Sequence, residues 1–488
     1  MNIQILLFIL SVMMCIQSYK HFIKEEYNCS LIYILLVGSL LRLLSASDPF
    51  VHCWDERYHF LVAKNLCNHW MEPQLYAQPL LDYDYKQWGS NHIWLHKPPF
   101  ALWMIALSFK IGGVSEFTGR VPSFFCSTAS IYLTFQIAML LLNHKKGALI
   151  AAFLHAINGT IIELSAGRDA TDHVDTIFFF ILEWSFYLGL RYAHQKNPLL
   201  LISIGILTGI AVLTKWYVGF FVIPMFFISN INKNNLLKII FKCILLFIIS
   251  LPLFYSWQVY IAQSFPKEAL WEKSYNLKHF FEPLEGHGQA WWYYIDRARI
   301  IWNELIYLIF GWFLTQWVKN PFQKKYYFLG IWILIPYTIF SASVTKMTGY
   351  VLFTAPAFFI IISLFIIQNE GAFSKNKYLK YLPILILLLS IRYGIERVKP
   401  FQIQNIEKLR IEKQQIMGYK NQISNPKTVI FNAKNCIEIM FYTDFVAYEK
   451  LPSPVEIETI QKEGYSIAVL KNANLPNYIL NDKHILKF

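Results

Sequence analysis

Apolar residues fall in long blocks broken by short polar gaps. Blocks near 2–19, 30–46, 121–142, 147–166, 174–193, 199–214, 217–229, 239–259, 301–318, 327–343, 348–368 and 381–392 are read as helical spans. A span needs roughly 17–25 mostly apolar residues, so the pattern predicts a polytopic α-helical membrane protein of about twelve helices. The first block lacks a basic n-region and a small-residue cleavage site, and it reads as an N-terminal anchor helix over 1–28 rather than a removed signal. Residues 98–112 open on Pro98-Pro99 and carry Lys110, which suits an interfacial or re-entrant helix better than a span. After about residue 395 the pattern changes. Ile recurs among Lys, Glu and Gln at helical spacing over 402–423, and short β-rich runs at 427–432, 445–450, 465–471 and 484–488 enclose helix-like runs at 434–442 and 453–464. Strands alternating with helices predict a small C-terminal α/β domain over 396–488, following a transmembrane module over 29–395. No Gly-rich phosphate-cradling turn marks that domain as a nucleotide site.

Composition agrees with a lipid setting. The chain is 55% hydrophobic and 15% charged, with a mean hydropathy of +0.36, where soluble domains carry about 25% charged residues. That excludes a cytosolic enzyme, a disordered tail and a secreted disulfide scaffold. The net charge of +13, from 44 Lys and Arg against 31 Asp and Glu, is read as basic cytoplasmic loops beside anionic lipid, not as a nucleic-acid surface. The gaps sort accordingly. Lys20/Lys24, His144 to Lys146, His194 to Lys196, Lys233/Lys238, Lys319 to Lys325 and Lys375 to Lys380 face inward, and 47–120, 167–173, the tight turn at Lys215-Trp216, 260–300, 344–347 and the tail face outward. The seven cysteines form no CxxC pair and no zinc spacing.

Ionisable residues crowd the outward segments. The first outer loop, 47–120, carries Asp48, His52, Asp55, Glu56, Tyr58, His59, Asp82, Asp84, His92, His96, Lys97, Glu116 and Arg120, and a second cluster runs from Arg168 through Asp169 and Asp172 to Asp175. Acid pairs in loops are commonly solvated surface, and Asp near a helix start is commonly a cap. Charge at the edge of a bilayer is nonetheless costly unless it serves a site. Lys215 and Lys346 sit on the side that basic residues avoid; snorkelling to headgroups explains Lys215 as well as function does, whereas Lys346, beside Gly349 and Tyr350, is read as functional. The 260–300 loop adds Trp271, Tyr275, Trp291, Trp292 and several carboxylates, a composition that suits a sugar and equally an interfacial aromatic belt.

Four features recur in order: Asp55-Glu56 with Tyr58, His96-Lys97-Pro98-Pro99, Arg120-Val121-Pro122-Ser123 and the Arg168 to Asp172 element. Together they resemble the GT-C integral-membrane glycosyltransferases, and more narrowly the aminoarabinose lipid A transferase and protein O-mannosyltransferase relatives. The resemblance covers residues 30–350, and the tail resembles the small extracytoplasmic domain of the aminoarabinose branch. The extra segment at 2–19 departs from the usual single helix before the first loop.

This resemblance implies a polyprenyl-phosphate sugar donor and inverting transfer to a glycolipid, glycan or protein acceptor at the outer face of the bacterial inner membrane. It implies Asp55 as the catalytic carboxylate with Glu56 beside it. Lys97, Arg168 and Lys346 would hold the donor phosphate, and His96 and Tyr350 would hold phosphate or sugar hydroxyls. Tyr58, Arg120 and Asp172 would give acceptor orientation or structural support. A phosphate leaving group is already acidic and needs cations rather than a general acid, so one base suffices where a glycosidase needs two carboxylates. No metal or other cofactor is assigned, although Asp55, Glu56 and Asp172 could supply oxygen ligands to a divalent ion. The alternative is a polytopic transporter without glycosyl transfer, but transport sites lie near the membrane midplane and here the charges gather toward one face. An oligosaccharyltransferase is disfavoured because Trp291-Trp292 is followed by Tyr293 rather than Asp.

Overall fold

In the computed structural model, which describes residues 3–168, 174–232, 235–398, 403–471 and 475–488, the apolar blocks are helices. In chain order these are α1 (Ile3–Ile23), α2 (Tyr27–Ala46), α3 (Asp55–Leu66), α4 (Pro99–Gly112), α5 (Glu116–Leu142), α6 (Lys145–Ile157), α7 (Gly159–Ser165), α8 (Asp175–Gln195) and α9 (Pro198–Lys215). There follow α10 (Val222–Asn230), α11 (Leu236–Ser264), α12 (Pro266–Phe281), α13 (Tyr293–Ile301), α14 (Ile306–Lys319), α15 (Lys324–Ala342), α16 (Ala355–Gln368), α17 (Glu370–Lys375) and α18 (Leu382–Val398). The tail adds α19 (Ile403–Gln422), β1 (Thr428–Phe431), α20 (Cys436–Tyr442), β2 (Val446–Ala447), α21 (Pro454–Lys462), β3 (Ser466–Val469), α22 (Asn477–Leu480) and β4 (Ile485–Lys487).

Among the described residues six stretches are long and apolar enough to cross a bilayer, or seven if α6 and α7, bent by 52°, form one span. The expected count of about twelve is not reached on these criteria. The helices at α14 and α18 are 14 and 17 residues long, and α8 carries Asp175, Glu183 and Arg191. At 14 residues α4 is also short, rising about 21 Å against a hydrocarbon core of about 30 Å.

One compact unit gathers residues 1–47, 97–101 and 120–401. Hydroxyl contacts join its first two helices, with Ser18 Oγ and Ser30 Oγ each donating to the other's carbonyl at 3.1 Å. Arg42, fully buried on α2, donates to Ser127 Oγ at 2.6 Å and to the carbonyls of Gly38, Ala156 and His155 at 3.1–3.3 Å. A guanidinium in an apolar bundle is tolerated because its donors are met. The chain turns sharply at Trp216, φ +48°, and the 3-10 segment Trp216–Phe221 folds back on α9. Gly219 makes that possible, since a Cβ there would come within 2.3 Å of the Val212 nitrogen.

The other unit contains residues 48–96, 102–119 and 402–488, so it takes in the long first loop as well as the tail. Its sheet is all parallel in the order β2-β1-β3-β4, with Val429 opposite Val446 and Ile467, and Ile467 opposite Ile485. Short β-branched strands buried on both faces are the usual material of such sheets. Leu81, from the first loop, lies in the same core as Val429, Phe431, Ile460 and Ile467. A capping box at Ser453 and Glu456 starts α21.

Candidate active site

Asp55 and Glu56 form the first turn of α3, where the helix dipole favours carboxylates. They are not equivalent. Glu56 is 1% exposed and its Oε2 accepts the His52 N–H at 2.8 Å, while His52 Nε2 lies 3.2 Å from Asp48 Oδ2. Asp55 is only half-buried. One turn on, Tyr58 meets Trp88 edge to face at 5.0 Å between centroids and lies beneath the Arg57 guanidinium at 5.0 Å. Burial pushes its phenol above the ordinary tyrosine value. His96 is buried, stacked on Trp88 at 4.5 Å and 7°, and edge-on to Trp94 at 5.6 Å. Tyr58 and His96, singled out from the sequence, therefore meet through a tryptophan that was not. The available signal was the run of aromatics Trp88, Trp94 and His96, of which Trp94 and His96 are buried.

The cationic candidates lie in the first unit. Lys97 is half-buried just before Pro98-Pro99. Arg120 is fully buried and its Nη1 donates to the Ala46 carbonyl at 3.1 Å, capping the end of α2. Arg168 follows α7, and its Nη1 donates to the Val398 carbonyl at the end of α18, where Arg397 also pairs with Glu163 at 2.9 Å. Asp172, with Asp169 and His173, lies outside the described residues.

Lys346 sits between α15 and the 3-10 segment Thr348–Thr354. It is 3% exposed, with Nζ donating to the Gln289 carbonyl at 3.1 Å and to the Ser343 carbonyl. Burial lowers its ammonium below the ordinary lysine value. The segment carrying it is held by an antiparallel bridge between Gly288 and Thr345 and by Tyr294 Oη donating to the Met347 carbonyl at 3.2 Å. Much of the segment read as an outer loop, 260–300, is thus helix α12 and α13, with the aromatics of α13 packed on the Lys346 turn. Tyr350 lies under another cation: Lys215 Nζ is 5.3 Å from its ring and forms an ion pair with Asp175.

This set divides chemically into a half-exposed carboxylate and several buried or half-buried cations. The first can orient or deprotonate a hydroxyl, and the second can hold a phosphate. Among the described residues no three His, Cys, Asp or Glu side chains converge as a metal site would require.

A family profile described as dolichyl-phosphate-mannose-protein mannosyltransferase matches residues 96–260. The undecaprenyl phosphate-alpha-4-amino-4-deoxy-L-arabinose arabinosyl transferase of Serratia proteamaculans is 23% identical over 279 residues, covering 54% of this chain and 49% of that protein. The chain spans about half the length of the curated relatives it matches first. Among solved structures, ArnT from Cupriavidus metallidurans bound to undecaprenyl phosphate superposes with a TM-score of 0.61 at 12% identity, over 91% of this chain and 86% of that one. The archaeal oligosaccharyltransferase AglB from Archaeoglobus fulgidus, in complex with an inhibitory peptide and a dolichol-phosphate, gives 0.57 at 12% identity, over 87% and 64%.

Proposed function

We propose that this chain, which has the GT-C glycosyltransferase fold, moves a sugar from a polyprenyl-phosphate donor to an acceptor in the cell envelope, with inversion at the anomeric carbon. The observation that carries the reading is the contrast within one acidic pair, where Glu56 is buried against His52 while Asp55 stays half-exposed at the start of α3. In this reading Asp55 accepts the proton of the acceptor hydroxyl as its oxygen attacks the anomeric carbon. The bond to phosphate breaks on the opposite face and the polyprenyl phosphate departs with the electron pair. Lys97, Arg168 and Lys346 stabilise that departing charge, and His96 and Tyr350 contact phosphate or sugar hydroxyls. Tyr58 supports acceptor placement, and Asp172 orients acceptor or Arg168. Arg120, which caps α2, keeps a structural role. If the acceptor is itself an ionised phosphate, Asp55 orients it and takes no proton.

The names of the relatives make a 4-amino-4-deoxy-arabinosyl donor the first to test and a mannosyl donor the second. Lipid A-like glycolipid is the first acceptor class, with glycans and proteins behind it. The positive-inside rule supports an orientation in which the basic gaps at 144–146, 194–196, 319–325 and 375–380 are cytoplasmic and the candidate segments lie in the outward set. The test is transfer by purified protein from undecaprenyl-phosphate-linked sugar to envelope lipid, read by mass spectrometry. Asp55→Asn is expected to lower turnover by roughly 10²–10⁴-fold, the usual share of a positioned general base, with folding unchanged. Near-wild-type turnover in Asp55→Asn would sink the assignment.

A further inference from the structure

The helix that begins with Asp55 is held at its entry, its first turn and its exit by one stretch of the C-terminal tail, residues 413–443. At the entry, Lys413 Nζ donates to the Pro49 carbonyl at 3.1 Å and pairs with Glu116 at 2.5 Å. The Val51 N–H donates to Tyr442 Oη at 2.7 Å, and that hydroxyl donates to the same Glu116 carboxylate at 2.8 Å. In the first turn, Arg57 Nη1 donates to Glu438 Oε1 at 3.0 Å. At the exit, Lys64 Nζ donates to the carbonyls of Met440, Phe441 and Thr443 at 2.9–3.1 Å, so that one ammonium caps the end of α20. Between these polar holds the ring of Phe60, fully buried, packs on Phe441 at 5.8 Å and on Phe109 at 5.7 Å.

One contact of this collar is not built for maximal stability. A buried Arg–carboxylate pair is strongest as a two-bond fork. Here Arg57 Nε and Glu438 Oε2 are both buried without a hydrogen-bond partner, so the pair fixes direction at the cost of two unsatisfied groups.

We propose that the tail domain is a positioning device for Asp55, with Glu438 and Tyr442 as positioning residues that set the pose of α3 from behind. This rests on the glycosyl-transfer reading, and it gives the domain a task within that reaction: fixing the distance and angle at which Asp55 meets the acceptor. Such geometry is worth large factors in rate, since a misplacement of about 1 Å can lower turnover about a hundredfold.

The test uses the full-length protein in detergent or nanodiscs, with Glu438→Gln and Tyr442→Phe as mild variants that keep side-chain volume. The expected result is a fall in kcat of about tenfold, a donor KM within about twofold of wild type, and faster amide exchange across residues 49–64. In an Asp55→Asn background the same substitutions are expected to cause no further loss, because they act through Asp55. Wild-type kcat in the folded fraction of both variants would overturn the proposal and leave the collar a purely structural one. Failure of the reaction reading is a separate outcome: if the wild-type protein transfers no sugar, amide exchange still decides, and unchanged protection of 49–64 in Glu438→Gln overturns the positioning role by itself.

Discussion

Two turns in the membrane-embedded unit each carry a lysine, and they hold it differently. At the end of α9, Lys215 forms an ion pair with Asp175, a carboxylate 2% exposed at the start of α8. In the 343–350 turn, Lys346 is met by two carbonyls, those of Ser343 and Gln289, and no carboxylate among the described residues pairs with it. A carboxylate cancels the charge it binds; a carbonyl orients the ammonium and leaves the charge in place. Burial makes an uncancelled charge expensive. The contrast gives Lys215 an architectural partner and is the ground for proposing Lys346 as a cation for the donor phosphate, although the two are alike in local sequence.

The largest expected effect falls on stability. Lys215→Met removes the ion-pair partner of a buried carboxylate, Asp175, and should cost about 3–5 kcal/mol, read as the fraction of protein surviving heat in detergent. Adding Asp175→Asn should recover most of that loss. Lys346→Met should do the reverse. It leaves two carbonyls without a donor, a cost of about 1–2 kcal/mol, but raises the donor KM about ten- to a hundredfold, the worth of a charged hydrogen bond. If Lys346→Met destabilises more than Lys215→Met, or leaves the donor KM unchanged, the distinction between the two turns fails.

Much of the fold could be read from local pattern, because lipid demands long apolar runs and parallel sheets demand short buried ones. The strand-like runs at 427–432, 445–450, 465–471 and 484–488 contain β1 to β4, and the block read at 98–112 contains the short helix α4 (Pro99–Gly112). What local pattern does not carry is partnership over distance. Glu116 and Lys413 meet across 297 positions, Arg57 and Glu438 across 381, and Leu81 enters a sheet core whose strands begin at Thr428. The same limit applies to the candidate site. Asp55 and His96 became candidates through motifs that resemble a family and Lys346 through its charge, but the pairing of Lys215 with Asp175 and the stacking of His96 on Trp88 depend on folding. The count of spans is left unconfirmed for a simpler reason: apolar blocks such as α14 and α18, at 14 and 17 residues, lie at or below the length that crosses a bilayer.

The smallest expected effect is the most selective. Burial holds the Lys346 ammonium below the ordinary lysine value, so its charge is present below that lowered pKa and is lost as the pH rises through it. Donor affinity should therefore fall off on the alkaline side earlier than an exposed lysine would allow. Folding stability moves the other way. The penalty for burying the charge is felt in full below the lowered pKa and disappears above the unfolded value of about 10.4, so alkaline pH relieves strain at this turn while removing affinity. Lys346→Arg separates the two, because a guanidinium stays charged beyond pH 12 or so. Its donor KM should rise only a fewfold, from altered geometry, while the alkaline limb moves out of range. A limb unchanged between wild type and Lys346→Arg would mean that the donor reads another charge, and the contrast with Lys215 would lose its functional half.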